Sequence, residues 1–150
     1  MIQYITYNTL TGKIGVNYSG SILSADMVLA LLNDNEDYIT STDVTQYTGN
    51  LYYITDLGNS NTISARPIMS NFASWNKTSI QADGVDEAVF GTSLPTVNVE
   101  VIPNGILEIE TSSITVTDGS FEFSTPYAGK YVINIDYFPY QYYTETIKAT

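Results

Sequence analysis

Asp118-Gly119-Ser120-Phe121-Glu122-Phe123, followed closely by Gly129-Lys130-Tyr131-Val132-Ile133-Asn134-Ile135, is the stretch whose reading decides the fold. Side chains of a strand alternate between two faces, so apolar residues two apart line one of them. Tyr131, Ile133 and Ile135 keep that spacing, with Val132 and Asn134 on the opposite face. Asp118-Gly119 combines two residue types that accept tight turns, which predicts a hairpin joining runs at 113–117 and 120–124.

The pattern continues on both sides of that stretch. Val97, Val99 and Val101 alternate with Asn98 and Glu100, and Ile114 and Val116 alternate with Thr115 and Thr117. Ile106 to Glu110 has the same look. Strands are expected near 78–82, 87–91, 96–102, 106–110, 113–117, 120–124, 130–137 and 141–148. Asp83-Gly84, Pro103-Asn104-Gly105 and Tyr127-Ala128-Gly129 supply further turns. Short alternating strands separated by turn residues are the mark of an antiparallel β-sandwich, here over 78–150.

Residues 1–67 read as a smaller β-rich module with one short helix. Ile2 to Tyr7 is rich in β-branched and aromatic residues, Asn8 to Gly12 has turn chemistry, and Lys13 to Tyr18 places Ile14, Val16 and Tyr18 on one face, a hairpin pattern. Ser24 can cap a helix over Ala25 to Leu32, with Asp26 near its positive end and Met27/Leu31 and Val28/Leu32 paired at i, i+4. Leu51 to Ile54 and Thr62 to Ala65 read as strands, the second closed by Arg66-Pro67. Residues 68–77 read as a connector. Trp75, the only Trp, either pins the two parts together or serves as an ordinary core residue of one of them.

Charge and composition exclude several functions. The chain has 150 residues, 16 acidic and 5 basic, for a formal net charge of −11. Lys13, Arg66, Lys77, Lys130 and Lys148 are scattered, and nucleic-acid binding needs clustered cations to neutralise phosphates. The same acidic field opposes anionic lipid, and no apolar run reaches the roughly 20 residues that span a bilayer. No cationic and apolar leader opens the sequence, so synthesis and folding in the cytoplasm are expected.

There is no His and no Cys. Ser-His-Asp and Cys-His constellations, thiolate metal sites and disulfides are therefore impossible, and no phosphate-binding Gly-rich loop is present. The expected answer is no enzyme, no cofactor and no resident metal. Paired carboxylates remain the one catalytic route, with Asp83, Asp86 and Glu87 as candidates, but an acidic turn between strands is the plainer reading. Asn33-Asp34-Asn35-Glu36-Asp37 offers oxygen ligands for a weak cation site, without the Gly and spacing of a calcium loop. A solvated loop is expected there.

Aromatic residues crowd the end of the chain, which has 13 Tyr in all. Tyr couples a broad apolar face to a polar tip and is enriched at protein interfaces. Trp75, Tyr137, Phe138, Tyr140, Tyr142 and Tyr143 are accordingly the interface candidates, with stacking on a host-surface glycan as the less favoured use.

Two resemblances add to this reading. The run Asp118 to Phe123 followed by Gly129 to Ile135 resembles the end of Ig-like and transthyretin-like β-sandwich modules. Over most of its length the chain resembles small tail-region proteins of tailed bacteriophages. The residues that carry this are Ile2 to Asn8 with Thr11 to Ile14, Tyr52-Tyr53-Ile54, Arg66-Pro67, Ile80 to Ala88, Leu94-Pro95, and Phe138-Pro139-Tyr140 with Thr144 to Ala149. The segment from Ala30 to Asn50 departs from the pattern. The resemblance implies a virion structural protein, assembled in the host cytoplasm. It would be a tail or tail-fibre adaptor or appendage, or a decoration protein on the capsid exterior. Other virion proteins and further copies of itself would be its partners.

Overall fold

The structure is a computed structural model that describes all 150 residues. It is mainly β. Contacts divide it into two compact units, Met1–Arg66 and Pro67–Thr150.

In the first unit, β1 (Gln3–Asn8) pairs antiparallel with both β2 (Ile14–Ser19) and β3 (Glu36–Ser41), and β4 (Tyr52–Thr55) pairs with β5 (Thr62–Ala65). Ile5, Tyr7, Ile14 and Ile54 form its small core. Asn8 closes the β1–β2 turn by accepting from Leu10 N and Thr11 N through Oδ1, at 3.0 and 2.9 Å. The hairpin forms where the sequence predicts it, but Ile14 and Val16 do not share a face. The register slips between Ile5 and Tyr7, where the Thr6 hydroxyl bonds to both Val16 N and Val16 O. The bulge reverses the phase of the strand and leaves Val16 exposed. The helix is shorter than expected. α1 (Ala25–Leu29) is capped by Ser24, and only Val28 is buried, so burial does not extend the helix; Leu31 N and Leu32 N close tight turns onto Val28 O and Leu29 O instead. β3 has no counterpart in the sequence reading. Its half-exposed residues give no clear alternation.

The second unit is a two-layer sandwich. One sheet has the order β10-β9-β12-β13-β7 and the other β11-β8-β6. The strands are β6 (Ala73–Trp75), β7 (Ser79–Ile80), β8 (Ala88–Thr92), β9 (Val97–Asn104), β10 (Ser112–Val116), β11 (Ser120–Phe123), β12 (Gly129–Asp136) and β13 (Tyr143–Ala149). The chain changes sheet at each step from β6 through β7 and β8 to β9, then again from β10 to β11 and from β11 to β12, the connectivity of an Ig-like sandwich. Val97, Val99, Val101, Ile133, Ile135 and Ile147 of the larger sheet meet Ala73, Phe90 and Phe123 of the smaller one. Each of the buried Val, Ile and Phe side chains contributes on the order of 1.5–3 kcal/mol.

Four expectations for this unit need correction. Residues 68–77 are not a connector. Met69 and Ala73 are buried in the core, a 3-10 turn occupies Met69–Asn71, and β6 is the first strand of the sandwich. Asp118-Gly119 does not close a hairpin, because β10 bonds to β9 and β11 bonds to β8. The turn chemistry is real, with Gly119 at φ +85 and Asp118 Oδ1 accepting from Ser120 N, but it carries the chain across the rim from one sheet to the other. Residues 106–110 form a loop. β10 pairs with only the first part of β9, so this alternating run has no strand beside it and Leu107 projects into solvent. The sandwich is not wholly antiparallel either, since β7 runs parallel to β13.

Tyr131 ties the crossing between β11 and β12. Its ring is 2% exposed, and its hydroxyl donates to Tyr127 C=O at 2.9 Å and lies 2.9 Å from the buried Thr125 hydroxyl. This is the tyrosine corner of Greek-key sandwiches, the Tyr near the start of a strand bonding to backbone just upstream. Tyr131→Phe keeps the ring and removes the bond, so it is expected to lower the stability of this unit by about 1–3 kcal/mol, read as a shift of the urea midpoint at constant slope.

Candidate interaction face

The outward side of the larger sheet carries, beside the Val132–Ile102 pair, a row of polar side chains fixed by the strand registers. Asn134 stands opposite Glu100 on one side and Thr144 on the other, and Thr115 stands opposite Asn98. Asn134 Nδ2 donates to Glu100 Oε2 at 3.0 Å, Thr144 Oγ1 donates to Asn134 Oδ1 at 3.0 Å, and Thr115 Oγ1 donates to Asn98 Oδ1 at 3.1 Å. These bonds order the face before anything docks on it, which reduces the entropy lost on binding.

Tyr142 borders this row. It is 58% exposed and, with Asn98, Glu100, Ser113, Ile114, Thr115 and Asn134, lines a shallow groove of about 360 Å³. Partial burial, then the nearby Glu100 and Asp136 carboxylates, raise its phenol pKa above the ordinary value, so it stays a neutral donor at physiological pH. The sequence reading singled out Tyr142 but not Asn98, Glu100, Thr115, Asn134 or Thr144. The polar phase of the same alternation that revealed the core could have found them.

The other aromatic candidates separate from Tyr142. Trp75 packs on Phe90 and Phe121, with ring centroids at 5.4 and 6.2 Å, so it belongs to the sandwich. Tyr137 stacks on Tyr140, and Phe72 meets Tyr140 edge-on at 5.1 Å. Tyr143 lies over Phe90, and Phe138 is half-buried beside the cis Phe138-Pro139 bond. Trp75, Tyr137, Tyr140 and Tyr143 thus pack against the core of their own unit.

The acidic candidates are engaged with their own loops. Asp83 Oδ1 accepts from Val85 N and Asp86 N, both at 2.8 Å. Asp86 pairs with Lys77 and accepts from Gln81 N at 2.8 Å. The backbone donors at Asp86 and Val85 hold Asp83 below the usual carboxylate range, and Lys77 does the same for Asp86, so both remain ionised where a general acid would need a raised pKa. In the 33–37 stretch, Glu36 Oε2 accepts from Asn33 N and Asn33 Nδ2, and Asp37 Oδ1 accepts from Tyr38 N. No three carboxylates converge on one point there or elsewhere. No helix is long and apolar enough to cross a membrane.

A hollow of about 380 Å³ lies in the first unit beside Gln3, whose amide reaches Asp43 O and Thr45 O and accepts from Asn17 Nδ2 at 2.8 Å. These bonds hold the 43–45 loop against β1 and β2.

No family model matches the chain, and no curated protein matches it. Among solved structures it is similar to a glycosyl hydrolase family 2 member from Bacteroides cellulosilyticus, at 15% identity and a TM-score of 0.35, covering 99% of this chain and 21% of that one. The chain therefore spans about a fifth of that protein's length. A score this low establishes neither a common fold over the whole chain nor a common activity.

Proposed function

We propose that this chain is a non-catalytic structural protein of a bacteriophage virion, working as an adaptor or appendage at the tail or its fibres through protein–protein contacts. The observation that carries the reading is the pre-ordered polar face from Thr115 to Thr144 with Tyr142 exposed at its border. Such a face offers docking area and hydrogen bonds without an enclosed reaction chamber. The resemblance of Ile2 to Asn8, Ile80 to Ala88 and the Phe138-Pro139-Tyr140 ending to tail-region proteins supplies the setting. A capsid-exterior decoration protein would use the same face, and the acidic charge suits either place outside the packaged DNA.

Mass spectrometry of purified particles should find the chain at fixed stoichiometry to the other structural proteins. Presence in the infected lysate but absence from particles would refute the assignment. Tyr142→Ala should weaken binding to the neighbouring virion protein by roughly tenfold while leaving the melting temperature unchanged, since the ring is exposed.

A second reading is favoured by one specific observation. Besides Val99 and Ile114, the Tyr142 groove is lined by amides, hydroxyls and one carboxylate and by no cation, a set suited to a neutral sugar. Under that reading, Tyr142→Ala abolishes binding to host cells or to a glycan array by the isolated chain.

A further inference from the structure

The five-stranded sheet is wider than the three-stranded sheet packed on it, and the margin left over is β10. Ile114 stands opposite Val99 in the ladder, on the side that Val97, Val99 and Val101 turn to the core, yet it is 51% exposed. β10 bonds to β9 along one side, and its outer side carries no strand.

Sheet edges are normally blunted by brevity, charge, proline or a bulge. The other edges of this unit follow that rule. β7 has two residues, β6 has three and runs on to Asn76-Lys77, and β11 carries Glu122. β10 has none of these guards. Thr111-Ser112-Ser113-Ile114-Thr115-Val116-Thr117 contains no charge and no proline, and its register against β9 is unbroken from Ser112 to Val116. Thr, Val and Ile also favour extended backbone.

We propose that β10 is a self-pairing edge, on which a second copy of this chain lays its own β10 antiparallel across a two-fold axis, joining two five-stranded sheets into one. The segment is complementary to itself. Pairing centred on Ile114 sets the two Ile114 side chains together and each Ser113 opposite the other copy's Thr115, so an exposed apolar group leaves water and hydroxyls meet hydroxyls. Charge argues for this occupant. In a chain of net charge −11, the neutral strip is where two copies can approach without burying carboxylates, and it offers a basic partner nothing to pair with. Glu110 and Asp118 flank the strip and approach each other's copies in this register, so their repulsion opposes pairing and salt relieves it. One strand pair is a small interface, so the dimer is weak, and it gains where copies are already concentrated in an assembly. The inference rests on the edge itself and holds whether or not the chain belongs to a virion.

Sedimentation equilibrium of the full chain tests it. A monomer–dimer equilibrium is expected, tightening by about tenfold between roughly 0.05 and 0.5 M salt as the Debye length shrinks. Ile114→Lys should weaken it by more than tenfold with circular dichroism and melting unchanged, and Glu110→Gln should tighten it at low salt. A chain that stays monomeric at about 1 mM in high salt overturns the proposal. So does a dimer equally strong in wild type and Ile114→Lys.

Discussion

Phe90→Ala should remove about 3–5 kcal/mol from the stability of the sandwich, the largest loss expected from any single side chain there. Phe90 is 0% exposed at the middle of β8, with Trp75 at 5.4 Å and Tyr143 at 6.4 Å between ring centroids. Truncation forfeits the transfer energy of the ring and leaves a cavity whose walls are strands, which collapse poorly. Small domains hold about 5–15 kcal/mol in total, so the variant should sit near its unfolding midpoint in mild denaturant. The measurement is convenient because Trp75 is the only Trp and contacts the substituted ring, so its fluorescence reports on this unit alone. A loss under about 1 kcal/mol would mean that the two sheets are not packed through Phe90.

Gly12→Ala should be comparably damaging to the first unit, by at least about 2–4 kcal/mol. Gly12 has φ +76, a conformation that costs any residue with a Cβ, and the added carbon would lie 2.0 Å from Ile54 O. That approach cannot be relieved by a rotamer change, because the backbone fixes where the Cβ lies and the atom it meets is a main-chain carbonyl. Ile54 N donates to Gly12 O at 2.8 Å, so moving the turn away also breaks the bond joining the β1–β2 hairpin to β4. Amide hydrogen exchange should show protection lost across β1, β2 and β4, with the Trp75 signal of the other unit unchanged. Full retention of protection in β4 would show that the turn does not brace that strand.

Legibility in the sequence tracked how much of each strand is buried. β9 and β12 alternate strictly between buried and outward positions, and they were readable to within a residue or two. β3 was not, because its residues are half-exposed on both faces and period two carries no contrast. The loop at 106–110 misled for the opposite reason, since its alternation was genuine in residue type but no neighbouring strand could use it. Asp118-Gly119 specified a turn without specifying which strands it joined, and partner choice is a long-range matter that dipeptide chemistry does not encode. The Tyr-rich ending located one exposed ring, Tyr142, and several that the core claimed. The polar row beside it was overlooked because hydrophobic pattern reading discards the outward phase.

The parallel pairing of β7 with β13 has a mechanical consequence. Lys148 N donates to Thr78 O, Thr150 N to Ile80 O and Ala82 N to Thr150 O, so β7, the second strand of the sandwich, and β13, the last, are laced side by side, pointing the same way. Once β6 has been peeled from β8, tension applied through Pro67 and Thr150 would draw β7 and β13 past each other. It would load these bonds together, in shear, where a hairpin would unzip one bond at a time. Resistance to such a pull depends on the rate of crossing the unfolding barrier more than on equilibrium stability. The lacing would therefore serve as a clasp for a protein that must hold while something tugs at it.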